Sequence, residues 1–182
     1  MNDSFFSTKR IAYAAIVAAL YATLTLAIAP LGYGPVQFRV SEALTVLPFF
    51  SSFSVLGLTM GCLISNIISP YGILDLIFGS FATLIAAIIT YKIGKSNFKF
   101  KRYLAPFPAV IINGIIIGIL INLSLPNKPV LSGLLGISLN TKELMPTMLL
   151  IAIEELIPCY LIGLPLLLLI EKNPKLKKIF KI

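Results

Sequence analysis

Gln37, Arg39, Glu42, Asn66, Asp75, Asn113, Asn122, Glu154 and Glu155 are ionisable or amide residues that stand inside or beside long apolar runs. In hydrocarbon an ionisable side chain costs roughly 2.5–3.5 kcal/mol on insertion scales, so each of them marks a functional site by default. Carboxylates, an arginine and amides are equipped to hydrogen-bond a polar ligand. They do not form a catalytic set. The chain has no His, which excludes His-based catalysis and His-ligated metals. Cys62 and Cys159 lie within apolar segments and read as small buried hydrophobes. With no metal cluster, activated nucleophile or acid–base pair, neither an enzyme nor a cofactor is expected.

Two local patterns imitate chemistry without supporting it. Gly94-Lys95-Ser96 resembles the end of a phosphate-binding loop, but Ile89 stands where the first Gly belongs, and an apolar helix precedes it. Glu154-Glu155 resembles the paired glutamates of CAAX-type intramembrane proteases. Cys159 occupies the position of their Arg, and the histidines are missing.

The elements that position these residues follow from composition. Of 182 residues, 58% are hydrophobic and 12% charged, too few polar groups to cover a soluble fold of this size. Apolar segments at about 11–29, 72–91, 104–124 and 145–170 predict membrane helices. Ala27-Ile28-Ala29 imitates a signal-peptidase site, but the run before it is too long and Pro30 would follow the cut, so a retained helix is expected. Twelve of the fifteen basic residues fall in three clusters: Lys9 and Arg10; Lys92, Lys95, Lys99, Lys101 and Arg102; and Lys172, Lys175, Lys177, Lys178 and Lys181. The positive-inside rule places all three in the cytoplasm. Residues 31–71 must then begin and end outside, which calls for two short helices, about 41–52 and 55–68, joined at Ser51-Ser52-Phe53-Ser54. The expected fold is an all-α integral membrane protein, one membrane domain of six spans with both termini cytoplasmic. The basic charge reports this orientation rather than a nucleic-acid partner.

On that topology the polar residues gather toward the outer side and outline a pocket open to the outside. Other roles stay open for each. Arg39 and Glu42 suit an i,i+3 ion pair, and Asp75 suits a helix N-terminus. Asn66 and Asn113 suit helix-to-helix hydrogen bonds. Glu154 and Glu155 point about 100° apart on a helix, so one of them at most faces the pocket centre. In the first helix Ala14, Ala15, Ala18, Ala19 and Ala22 form the small-xxx-small pairs 14/18, 15/19 and 18/22, a face suited to packing another helix, in a partner or in the same chain.

The segments YGPVQFRVSEALTVLPFF (33–50), NIISPYGILDLIFGS (66–80) and EELIPCYLIGLPLLLL (154–169) resemble the QueT family of queuosine-precursor transporters, substrate-binding S-components of energy-coupling-factor (ECF) importers. The resemblance implies a transmembrane coupling protein and two ATPase subunits as partners in a bacterial cell membrane. Ala15 and Ala19, with Ala14 and Ala18 beside them, would dock on the coupling protein. It implies a 7-deazaguanine ligand, queuine or its aminomethyl precursor. Such a ligand offers N–H donors to a carboxylate and a carbonyl to Arg, Gln or Asn, and its amine wants a second carboxylate. Glu154 or Glu155 and Glu42 or Asp75 would share those roles, Asn66 and Asn113 would orient the base alongside Arg39 and Gln37, and Tyr33, Phe38 and Tyr71 would stack on the ring. The competing readings are an S-component for thiamine, folate or biotin, and a stand-alone carrier. A carrier predicts polar residues along both halves of a pathway.

Overall fold

The computed structural model describes residues 7–33, 38–124 and 141–180. Every regular element among the described residues is helical. We label them α1 (Thr8–Ala27), α2 (Val40–Phe49), α3 (Ser52–Asn66), α4 (Gly72–Lys95), α5 (Lys101–Leu123), α6 (Lys142–Lys172) and α7 (Pro174–Phe180). Four of these, α1, α4, α5 and α6, are long and apolar enough to cross a membrane, whereas α2 and α3 are shorter apolar helices. The helices α1 to α6 overlap the apolar segments read from the sequence.

The basic clusters share one end of the bundle. There Arg10 sits over the Phe53 ring, the Tyr13 hydroxyl bonds Ser54 Oγ at 2.7 Å, and Tyr13 meets Phe180 edge-on. Lys101 Nζ donates to the carbonyls of Gly94 (3.1 Å) and Ser96 (2.8 Å) and lies over the Phe49 ring, and Arg102 pairs with Glu171. The α2–α3 turn is therefore at the same end as the start of α1, the α4–α5 connection and the end of α6. Its first turn is capped by Ser51 Oγ, which accepts from the Phe53 N–H. The Gly94-Lys95-Ser96 segment is accounted for by packing: a Cβ at Gly94 would run into the Phe49 carbonyl.

The second element departs from an ordinary helix. It is wound as a 3₁₀ helix over ten residues, an uncommon length for that geometry. At a rise near 2 Å per residue it spans about 20 Å, against about 15 Å for an α-helix of the same length. The threefold winding stacks Glu42, Thr45 and Pro48 in one row, and the Thr45 hydroxyl donates to the Glu42 carbonyl. Nearly all of α2 is buried, packed against α1, α3, α4 and α6. It is the axis of the bundle.

Close backbone packing sets the rotation of α1. Gly57 and Gly61 of α3 meet it so tightly that a Cβ at either would lie 2.7 Å from the Ala14 or Ala18 carbonyl. Small residues four apart on both helices permit that approach. The pairs 14/18 and 18/22 are thus consumed inside the chain, with Ala18 and Ala22 buried. The expected docking face is narrowed at Ala18, which is buried against α3, while Ala14 is half-buried beside Gly57. Ala15 and Ala19 point outward, beside the exposed Ile11, Ile16 and Leu20.

Candidate functional site

At the end opposite the basic clusters, polar side chains converge from α1 to α6. Asp75 opens α4 just past a tight turn in which Gly72 takes φ +62°, and it is completely buried. Its Oδ2 accepts from Arg39 Nη2 at 3.1 Å and from Ser69 Oγ at 2.6 Å. Arg39 also donates from Nε to the Gly32 carbonyl at 3.3 Å and lies over the Tyr33 ring, whose hydroxyl donates to the Ser65 carbonyl. Burial opposes the Arg39 charge, but the Asp75 carboxylate more than compensates and holds its pKa above the usual arginine value. Asn66, at the end of α3, donates to the Asp75 carbonyl at 3.0 Å. Arg39 therefore pairs with Asp75, 36 positions away, and not with its helical neighbour Glu42.

Glu42 serves the second half of the network. Its carboxylate accepts from the Tyr21 hydroxyl of α1. Cys159 Sγ lies 3.7 Å from both the Glu42 carbonyl and Glu155 Oε2, and Thr45 Oγ1 is 3.8 Å from the same sulfur. Asn113 Nδ2 donates to Glu155 Oε1 at 2.9 Å and also lies beside Glu42. Glu42 and Glu155 feel each other electrostatically, and Arg39 feels both Asp75 and Glu42. The halves form one continuous belt of charge.

Two π-helical turns aim these groups. One, Asp75–Gly79, follows the α4 turn; the other, Ile157–Gly163, lies in α6 just past Glu155. Pro158 has no N–H for the carbonyl four residues back, so the regular ladder cannot pass it and the helix widens. The widened turn brings Gly163 against α2, where a Cβ would sit 2.9 Å from the Ala43 carbonyl. At the other turn, a Cβ on Gly79 would sit 2.5 Å from Asp75 Oδ1 and 2.8 Å from Asn66 Nδ2. Glycine is needed there.

Of the expected site residues, Arg39, Glu42, Asn66, Asp75, Asn113, Glu155 and Tyr33 come together. Glu154 is buried, but Glu155 is the member of the pair that bonds Asn113. Tyr71 packs against the apolar cluster of Ile117, Leu120, Ile121 and Ile151, and its N–H donates to Ser69 Oγ at 3.3 Å; Phe38 is half-buried. Gln37 lies outside the described residues. Tyr21, Ser69 and Thr45 were missed. Tyr21 alone carried a signal: a hydroxyl in the middle of an alanine-rich span needs a partner.

No solved structure matches this chain. A stretch of 73 residues is 45% identical to the queuosine precursor transporter QueT of Lactococcus lactis subsp. cremoris (strain MG1363). It covers 39% of this chain and 43% of that protein, so the match spans less than half of the relative's length. The family model described as QueT transporter matches residues 11–172, nearly the whole chain. Apolar helices, a buried polar belt at one end and that match together place the chain in the QueT transporter family.

Proposed function

We propose that this protein is the substrate-binding S-component of an ATP-driven ECF importer for a queuosine precursor, queuine or aminomethyl-7-deazaguanine. The observation that carries the reading is the buried belt of Asp75, Arg39, Glu42, Asn113 and Glu155, confined to the end away from the basic clusters. A carrier that moves its cargo by itself needs a polar route through both halves; here the described ionisable groups of the helix interior stay in one. Ligand is captured from outside a bacterial cytoplasmic membrane by one domain of six spans with both termini in the cytoplasm. The exposed Ala15/Ala19 face then meets a transmembrane coupling protein, and two ATPase subunits supply the energy that releases the ligand inside, for which the family picture is a toppling of the S-component in the bilayer. The nearly uncharged remainder of the helix surfaces favours such reorientation, since charges exposed to lipid would oppose it.

Calorimetry on the purified protein in detergent tests the substrate. Queuine or aminomethyl-7-deazaguanine should bind and thiamine, folate and biotin should not; binding of one of those vitamins with no binding of either deazaguanine overturns the assignment. Uptake in cells should require both the coupling protein and the ATPases. Accumulation without them would establish a stand-alone carrier instead.

A further inference from the structure

The unpartnered atoms of the belt define the chemistry of a ligand that would suit it. Glu42 Oε2, Asp75 Oδ1 and Asn66 Oδ1 are sealed from solvent and have no hydrogen-bond partner among the described residues. Their residues are each 1% exposed or less. All three atoms are acceptors. An orphaned buried acceptor costs about 1–3 kcal/mol, so a ligand presenting donors recovers what the free protein forgoes. Charge points the same way. Asp75 pairs with Arg39, whose charge also reaches Glu42 and Glu155; those two carboxylates share Asn113 as a neighbour and have no second cation in contact among the described residues. Two carboxylates in an apolar surround cannot both stay ionised unless a cation lies between them. The remaining titratable neighbours of the pair, Tyr21, Cys62 and Cys159, supply no positive charge.

Resting on the deazaguanine reading above, we infer that the site has two separate readers: Glu42 with Glu155 holds a protonated amine of the ligand, and Asp75 with Asn66 accepts from the N–H edge of its heterocycle. Arg39 stands between the two readers and holds Asp75 in place. The site then selects precursors that carry an amine against those that carry a neutral substituent at the same position, and selects a guanine-type edge against one with fewer N–H donors.

Calorimetry on the full chain in detergent separates the readers with three probes: 7-aminomethyl-7-deazaguanine, 7-cyano-7-deazaguanine and 7-aminomethyl-7-deazahypoxanthine. A hydrogen bond to a charged group is worth enough for a discrimination of about tenfold or more. The wild type should therefore bind the cyano and the hypoxanthine probes at least about tenfold more weakly than the first. Glu155→Gln or Glu42→Gln should weaken the aminomethyl probe by a similar factor, leave the cyano probe nearly unchanged, and keep the guanine-over-hypoxanthine preference. Equal wild-type affinity for the aminomethyl and cyano probes overturns the amine reader while leaving the deazaguanine reading intact. So does a preference that survives in both Gln variants. Loss of binding of all three probes to the wild type overturns both the reading and the inference. The comparison between probes on the wild type stands even where a variant fails to fold.

Discussion

Replacing Asp75 by Leu should be among the most damaging single changes in this protein, and adding a second substitution should undo much of the damage. Asp75 is fully buried and its Oδ2 takes both Arg39 Nη2 at 3.1 Å and Ser69 Oγ at 2.6 Å. Among the described residues, Asp75→Leu leaves the buried Arg39 guanidinium a 3.3 Å bond to the Gly32 carbonyl and the face of Tyr33. Stranding one partner of a buried pair costs about 3–5 kcal/mol. At about 2–4 °C per kcal/mol for a chain of this length, the melting temperature should fall by about 6–20 °C. Arg39→Leu/Asp75→Leu removes both charges, and apolar replacement of a whole buried pair is often close to neutral. The double variant should therefore melt above Asp75→Leu. Both cysteines are free and buried, so a thiol-reactive fluorophore added in detergent reports the unfolding directly. A melting temperature for Asp75→Leu within about 2 °C of wild type, or a double variant whose loss is the sum of the two singles, would show that the pair carries no coupling and that this account of it is wrong. Ligand binding should be lost in both variants, which separates the pair's part in stability from its part in recognition.

Other substitutions test the remaining contacts. Ala15→Trp should abolish uptake while leaving ligand binding by the isolated protein intact, whereas Ala18→Trp, forced into the Gly61 contact, should lower thermal stability by at least about 1–3 kcal/mol; uptake by Ala15→Trp at the wild-type rate refutes the docking face. Gly79→Ala places a methyl group 2.5 Å from Asp75 Oδ1 and should weaken calorimetric binding by at least about tenfold, the worth of one charged hydrogen bond. Tyr21→Phe removes the hydroxyl donor to the Glu42 carboxylate and should destabilise the protein by about 1–3 kcal/mol in the same thermal assay; an unchanged melt would show that Glu42 does not depend on that bond.

Much of the architecture was legible because the signals for it are local. Four spans show in windows of apolar residues, and the three basic clusters call for the split of 41–68 into two short helices that appears as α2 and α3. Neither signal records how a helix is wound. The ten-residue 3₁₀ geometry of α2 and the π turns beginning at Asp75 and Ile157 arise from tight packing around a buried axis and from Pro158, and hydropathy does not distinguish them from α-helix. The site was legible as a set of residues and not as a set of pairs. Arg39 and Glu42 look like partners at i,i+3, yet Asp75, brought by a different helix, takes the arginine.

The amino-acid sequence alone determined that this chain belongs in a bilayer, where its basic face lies and which polar residues are too costly in lipid to be incidental, because transfer free energies belong to single residues. Only the tertiary structure decided that Glu155 meets Asn113, that Ala18 faces inward while Ala15 faces out, and that, among the described residues, Glu42 Oε2, Asp75 Oδ1 and Asn66 Oδ1 are left without donors. Those outcomes depend on the rotation of each helix about its own axis. That rotation is set by backbone contacts such as Gly61 against Ala18, between residues far apart in the chain.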